Sequence, residues 1–441
     1  MSVELLNRFF QMETEGGLFN LEKEEDLPLW DILRLHIYFK YYYPPKELDK
    51  LFKLPRRKWK DYLSLGLDLL NMPVYFLTRP GRNVFLTTSR GLNSDNKYFD
   101  KSAIPFLLEL GHNCFIIETN LREQTQYKTY NAFISVFKIF FKLKDLSKSA
   151  FLKISEVLTQ SLGESRVTYH DLNTVYKSVQ ADYIYYKWLF KVKNTRRLFI
   201  SRGNEKGAVM AAKKLGVLTF ELQHASIEFD NILYTYPASI SCINNIAFPE
   251  YLLTYGDYWG SNMNIPCKNI ISIGNDILFK RNDTACDNSV LIISTIIHGE
   301  ELSRLTLKMA QENPSLNFVY KLHINEYKIV NYYNNLFSAH GNIRIVQNEE
   351  DVSSLISKSQ LVVLIISTVL YEALNQNKKV AVYKKMNYDS QSGVFGHSNV
   401  YLFDESTELK RILSERIYPS TINFFKPSDK IVIQSVFELG G

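Results

Sequence analysis

The sequence predicts an α/β protein made of two Rossmann-like domains that face a central cleft, with a helical extension at the N-terminus. Three observations carry this prediction. From Asn83 onward, short apolar runs of strand length alternate with helix-length amphipathic stretches, the pattern of parallel βαβ units. The alternation is densest between Val290 and Tyr383, where five predicted strands and four predicted helices follow one another, as in a doubly wound sheet. The chain's 441 residues also suffice for two domains of ordinary size.

Residues 1–75 form the extension, helical, aromatic and basic. A helix opens at Leu27–Leu33, and Lys46, Lys50, Lys53, Arg56, Arg57, Lys58 and Lys60 follow closely. Such a run is either a solvated helical face or a patch for anionic lipid or a phosphorylated acceptor. Residues 76–265 read as an N-terminal Rossmann-like domain. Its strands are Asn83–Ser89, His112–Glu118, Arg197–Ser201 and Val217–Glu221; its helices begin near Lys101 and span Glu205–Leu215, the latter ended by Gly216. Residues 131–147 read as a basic helix with a stripe of Phe133, Phe137, Phe140 and Phe141, a pattern of a core more often than of a membrane anchor.

After a connector near 255–285, residues 266–405 read as a C-terminal Rossmann-like domain. Val290–Ser294, Asn317–Lys321, Asn342–Val346, Leu361–Ile366 and Lys379–Tyr383 are its strands; Glu300–Asn313, Glu326–Ala339, Asp351–Lys358 and Thr368–Asn375 are its helices. Residues 406–441 are expected to be helical and to pack back on the N-terminal domain.

Composition narrows the function. The chain is 46% hydrophobic and 22% charged, as folded domains are. Its net charge of +6 is mild, and its basic residues are not interleaved with aromatics in a nucleic-acid-binding module. The 28 tyrosines and 28 phenylalanines are a surplus that belongs in cores or on a binding face. Cys114, Cys242, Cys267 and Cys286 lie far apart without metal-ligand spacing, which argues against a zinc site and a disulfide framework. No signal-peptide pattern opens the chain and no run of about 18 apolar residues occurs in it, so a cytoplasmic protein is expected.

In open α/β sheets, ligands lie at the carboxyl ends of the strands, and three clusters fall there. Glu221-Leu-Gln223-His224-Ala225-Ser226 follows one strand; a histidine so placed can act as a general base or donate to a phosphate. Lys321-Leu-His323 ends another, and its i, i+2 spacing turns both side chains to one side. Ser367-Thr368 leads into a helix containing Glu372. Hydroxyls at a helix start suit a phosphate, and the carboxylate suits ribose hydroxyls; Ser367 is equally a helix cap. Arg202, the Ser294-Thr295 and His298-Gly299 loop, and the glycine-bearing loop Ser390–His397 are further candidates for the border of such a site.

Together these motifs resemble those of GT-B glycosyltransferases of bacterial surface-polysaccharide synthesis, in the broad group with capsule Kdo transferases, polysialyltransferases and CDP-glycerol glycerophosphotransferases. Members typically read QHG, KxHP and ST-x3-E where this chain has Gln223-His224-Ala225, Lys321-Leu-His323-Ile324 and Ser367-Thr368 with Glu372. Ala225 and Ile324 are departures from that pattern, and they bear on donor type. The resemblance covers roughly residues 80–400. It implies a GT-B-like fold and transfer of a sugar from a nucleotide-sugar to a growing capsule or lipopolysaccharide glycan, at the inner face of the cell membrane. It also implies that Lys321, His323, Ser367 and Thr368 hold the donor phosphates, Glu372 the ribose, and that His224 faces acceptor or donor from the other domain. With the Lys321–His323 pair it favours a CMP-sugar over UDP- or GDP-sugars.

No aspartate has a second aspartate two positions on, so the DxD pair that holds a divalent cation in metal-dependent transferases is missing. No metal and no cofactor beyond the co-substrate is expected; Lys321 and His323 supply the charge for the leaving phosphate. An inverting displacement needs a base, for which His224 and Glu221 stand ahead of Glu228, Asp230 and Glu118. The alternatives are polyol-phosphate transfer from a CDP-polyol, sugar-nucleotide epimerisation, and a non-catalytic scaffold in a polysaccharide assembly complex.

Overall fold

The computed structural model describes residues 2–42, 81–88, 91–92, 97–110, 114–118, 125–126, 130–131, 141–228, 231–238, 246–261, 263–279, 286–287, 289–385 and 388–439. Two helices open the chain, α1 (Ser2–Glu15) and α2 (Leu29–Tyr42). There follow β1 (Asn83–Thr87), the short antiparallel pair β2 (Gly91–Leu92) and β3 (Tyr98–Phe99), α3 (Ile104–Leu110), β4 (Cys114–Glu118) and β5 (Tyr130–Asn131). Next come α4 (Lys148–Leu162), α5 (Tyr169–Val192), β6 (Arg197–Ile200), α6 (Lys206–Lys214), β7 (Leu218–Leu222), β8 (Tyr251–Thr254), β9 (Asn269–Ser272) and α7 (Asp276–Phe279). The second series is β10 (Ser289–Ile293), α8 (Gly299–Glu312), β11 (Phe318–Lys321), α9 (Val330–Phe337), β12 (Ile343–Val346), α10 (Val352–Lys358) and β13 (Ser359–Leu364). It ends with α11 (Val369–Asn375), β14 (Lys379–Tyr383), β15 (Val400–Phe403) and α12 (Leu409–Ser414), and α13 (Lys430–Glu438) closes the chain.

The strands form two wholly parallel sheets, in the orders β5-β4-β1-β6-β7-β8-β9 and β12-β11-β10-β13-β14-β15. Each sheet grows outward from its first strand in one direction, then restarts beside that strand and grows the other way. The reversal leaves a crevice above β1 and β6 in one sheet and above β10 and β13 in the other. Every residue of β4, β6, β10 and β11 is buried, because helices cover both faces of a parallel sheet. That burial is why these strands are apolar runs. In α8, Leu302, Leu305, Thr306, Met309 and Ala310 turn inward at helical spacing while charged residues line the other side.

α1 and α2 are fastened to the first sheet's unit by charges taken out of water. Arg34 meets both oxygens of Glu13 at 2.7 and 2.9 Å, and donates to the carbonyl of Ile232 at 2.9 Å and that of Thr235 at 3.3 Å. Asp31 accepts from Lys206 at 2.9 Å, Tyr236 at 2.8 Å and the Ala247 N–H at 2.8 Å. Both groups therefore grip the stretch 231–238, which carries residues of the site.

The stretch from Lys426 to Glu438 returns to the first unit, whereas Leu409 and Ile412 of α12 pack in the core of the second. Lys426 N–H donates to Tyr255 O at 3.0 Å, Asn275 N–H to Lys426 O at 2.9 Å and Asp429 N–H to Ile273 O at 2.8 Å. Gly274, at φ +76°, permits this approach, since a Cβ there would overlap the Pro427 carbonyl. Ile433 and Val436 of α13 then join Phe85, Phe106, Phe199 and Phe220 in one core.

Several sequence expectations change. The helix over 131–147 is not formed at its described ends: Asn131 belongs to β5 and residues 142–147 are non-helical. The Asn131 peptide is drawn into pairing with Glu118 of β4 instead, and Phe133, Phe137 and Phe140 lie outside the described residues. The helix expected over Glu326–Ala339 starts as a 3₁₀ stretch, Ile324–Ile329, because His323 and Glu326 form a capping box there. β9 pairs with β8, so Asn269–Ser272 hydrogen-bonds to the first sheet although the sequence reading assigns it to the second domain. The basic run Lys46–Lys60 lies outside the described residues. Among those described, no helix is long and apolar enough to cross a membrane.

Candidate functional site

Two cavities occupy the crevices where the strand orders reverse, and they meet. The inner one, of about 380 Å³, is lined by Thr88 beyond β1, Ser201 beyond β6, and Gln223, His224 and Ser226 beyond β7, with Glu372 of α11 opposite. The outer one, of about 550 Å³, is lined by Ser294, Thr295 and His298 beyond β10, Lys321 and His323 at the end of β11, and Ser367 and Thr368 beyond β13. Phe99, Lys101, His323 and Thr368 line both.

His224 is held by two partners. Its Nε2 accepts the Gly203 N–H at 3.3 Å, and Nδ1 lies 3.1 Å from the Tyr234 hydroxyl. An accepting Nε2 puts the proton on Nδ1, so the ring donates to Tyr234, and Tyr234 in turn donates to Glu221 Oε1 at 2.7 Å. Glu221 lines neither cavity; it lies behind Tyr234, and burial raises its carboxyl to about 7. The arrangement is a line of proton carriers running from the cavity wall into the core. A Cβ at Gly203 would lie 3.1 Å from His224 Cε1, so a side chain there would press on the ring. Gln223 is buried and held at both ends of its amide: it donates to Ala225 O at 3.0 Å and accepts the Tyr255 N–H at 3.0 Å, bracing the loop against β8.

On the other wall, His323 Nδ1 accepts the Asn325 N–H at 3.2 Å, and the residue lines both cavities. Its backbone is held by Glu326, which the sequence reading did not single out. Glu326 takes the His323 N–H at 2.9 Å, the Ser294 hydroxyl at 3.0 Å and the Tyr333 hydroxyl at 2.5 Å. Ser294 thus serves this buried carboxylate. Lys321 donates to the Gln347 carbonyl, and burial lowers its pKa while Glu349 and Asp351 push it up. Ser367 Oγ accepts the Val369 N–H at 3.3 Å, and its peptide is clamped by the Gln391 side chain at 3.0 and 2.9 Å. The loop Ser390–His397 therefore buttresses the site and lines neither cavity. Glu372 faces the inner cavity, and burial raises its carboxyl against the pull of Lys101.

Not every candidate converges. Arg202 lines neither cavity; it pairs with Glu205 and reaches Thr88 Oγ1 at 3.5 Å, because the buried Glu205 carboxylate is the nearer anion. Glu118 is buried at the end of β4 and lines neither cavity, and Asp230 lies outside the described residues. Glu228 accepts from the Tyr371 hydroxyl and so links the first unit to α11.

The sequence reading missed Asp100 and Lys101. Asp100 accepts from Thr87 Oγ1 at 2.7 Å, from Ser201 Oγ and from the Ser102 N–H at 3.0 Å, and burial raises its carboxyl. It ties the ends of β1 and β6 to the start of α3. The usable signal was an Asp-x-Ser start just ahead of a helix. Among the described residues no group of acidic, His and Cys side chains is arranged to hold a metal ion.

No family model and no curated protein matches the chain. Among solved structures, the UDP-GlcNAc 2-epimerase of Methanocaldococcus jannaschii in complex with UDP-GlcNAc and UDP superposes with a TM-score of 0.50 at 11% identity, covering 81% of this chain and 98% of that one. The UDP-GlcNAc 2-epimerase of Neisseria meningitidis bound to UDP-GlcNAc gives 0.45 at 15% identity over 81% and 98%. Glycosyltransferase VinC in complex with dTDP gives 0.46 at 11% identity over 81% and 94%. At 11% identity, the first of these likenesses shows the fold: α/β, two Rossmann-like units, GT-B-like.

Proposed function

We propose that the chain is a nucleotide-sugar glycosyltransferase, metal-independent and inverting, that extends a bacterial surface glycan of the capsule or lipopolysaccharide kind. The observation that carries the reading is the meeting of two crevices. Lys321, His323, Ser367 and Thr368 converge from the second sheet on a cavity that opens onto His224 of the first. Binding of UDP-GlcNAc and UDP by the structural neighbour of the same architecture supports a nucleotide sugar as ligand.

In this reading the base and ribose lie along the second unit, and Glu372, which lines the inner cavity alone, faces the sugar rather than the ribose. The phosphates meet His323, Thr368, Ser367 and Lys321, and the sugar reaches into the inner cavity. The acceptor hydroxyl attacks the anomeric carbon, the bond from that carbon to the phosphate oxygen breaks, and the electron pair leaves with the nucleotide. Lys321 and the His323 Nε2–H offset that charge. The hydroxyl's proton passes to His224 Nε2, which must first release the Gly203 N–H. Tyr234 and Glu221 then stabilise the imidazolium through the Nδ1 side. The basic run Lys46–Lys60 would hold the enzyme at the anionic inner membrane face, near a lipid-linked acceptor.

Sugar-nucleotide epimerisation is the second reading, favoured by the neighbour's activity and by the two raised carboxyls, Asp100 and Glu372, that line the inner cavity. One assay separates the readings. The protein is incubated with CMP-, UDP- and GDP-sugars and with CDP-polyols, with and without glycan acceptors, and products are followed by mass spectrometry and NMR. Transfer gives free nucleotide and a lengthened glycan only when acceptor is present. Epimerisation gives an isomeric donor without acceptor, polyol-phosphate transfer leaves a phosphodiester, and a scaffold binds without turnover.

A further inference from the structure

The waist between the two cavities is formed by Phe99, Lys101, His323 and Thr368. If phosphates occupy the outer cavity and the sugar the inner one, the bond between them lies at this waist. Lys101 is the lysine that lines both cavities, and it comes from the first unit, opposite the other phosphate ligands. Its backbone is fixed on two sides. Asp100 before it is tied to the ends of β1 and β6, and its own carbonyl accepts from Asn275 Nδ2 at 3.0 Å.

The Lys101 amine is engaged across the cleft. It lies 3.7 Å from Asp351 Oδ1, at the head of α10 in the second unit, with the two side chains 37% and 61% exposed. An exposed pair of this length is weak, because water screens both charges. A diphosphate carries more negative charge than one carboxylate and would be held within reach of the same amine. Asp351 itself lines the outer cavity and repels an anion there. Without ligand the ion pair therefore links the units, and with ligand the same lysine has a stronger partner.

We propose that Lys101 exchanges Asp351 for the diphosphate of the bound donor, so that donor binding moves the ion pair bridging the two units onto the substrate. The inference rests on the nucleotide-sugar reading. It adds a residue from the first unit that contacts the leaving group, and with donor bound the link between the units runs through the substrate.

A double-mutant cycle tests it. Affinities for CDP, UDP, GDP and inorganic pyrophosphate are measured by calorimetry on the full chain for wild type, Lys101→Met, Lys101→Arg, Asp351→Asn and the Lys101→Met/Asp351→Asn pair. Lys101→Met is expected to weaken the bound diphosphate about tenfold or more, the loss of one charge-assisted hydrogen bond, and Lys101→Arg to retain most of the affinity. Asp351→Asn keeps the helix cap on Ser353 and is expected to tighten binding several-fold, but only while Lys101 is present. Equal tightening in the Lys101→Met background would make Asp351 a nearby repelling charge and overturn the exchange. Unchanged affinity in Lys101→Met would overturn it as well. A wild type that binds none of the nucleoside diphosphates would instead overturn the nucleotide reading beneath it.

Discussion

Glu221, Tyr234 and His224 form the most consequential residue-scale feature, a buried acid and an imidazole joined through one phenol. Glu221 is raised from 4.5 to about 7, mainly by burial. The folded protein thus binds this proton more tightly than the unfolded chain, and Glu221's contribution to stability is full below about pH 4.5 and fades as pH rises to about 7. Glu221→Gln, which mimics the protonated acid, is expected to flatten that decline. Relative to wild type it should gain roughly 1–3 kcal/mol between pH 5 and pH 8, read from denaturant melts at the two pH values. A variant as pH-sensitive as wild type would show that Glu221 is already ionised in the fold. Tyr234→Phe cuts the line between His224 and Glu221. Turnover should fall while donor affinity holds. Lys321, His323, Ser367 and Thr368 were legible in the sequence because a residue directly after an apolar strand has one address, the carboxyl edge of the sheet. Lys101, Glu326 and Tyr234 were not, since each acquires its place from partners distant in sequence or from a turn without periodicity.

Among the elements, legibility followed burial. β10, β11 and β13 are covered on both faces and read as uninterrupted apolar runs. β9 is an edge strand with two exposed and two half-buried residues, so nothing in Asn269–Ser272 announces it. β15, the opposite sheet's edge, is half-exposed at Tyr401 and Leu402. The 3₁₀ start at Ile324–Ile329 was hidden for another reason: a histidine cap with Glu three residues on is a local signal, and helical periodicity outweighed it. The docking of α1 and α2 has its own test. Arg34→Met would leave the Glu13 carboxylate buried without its cation, and removing one partner of a buried pair costs about 3–5 kcal/mol. A lower melting temperature is expected, together with weakened activity, because Arg34 also holds the carbonyls of Ile232 and Thr235 on either side of Tyr234. A variant as stable as wild type would mean that the helices dock through their apolar faces alone.

The whole molecule brings two parallel sheets together so that their reversal points share a ligand space. Neither sheet alone completes it: Lys321, Ser367 and Thr368 come from the second, while His224, Asp100 and Lys101 come from the first. The sequence announced the two sheets and the clusters at their edges. Their mutual placement depends on the return of Lys426–Asp429 along the 255–276 stretch, which no periodicity encodes. Every role proposed for the cleft depends on nucleotide binding at the second sheet's reversal point, and calorimetric titration of wild type, Lys321→Ala and His323→Ala with CMP, CDP, UDP and GDP tests it most directly. One nucleotide is expected to bind wild type and to lose about tenfold or more in affinity with His323→Ala, the equivalent of one hydrogen bond to a charged group. Absence of binding by all four, or affinities that both substitutions leave unchanged, would contradict it.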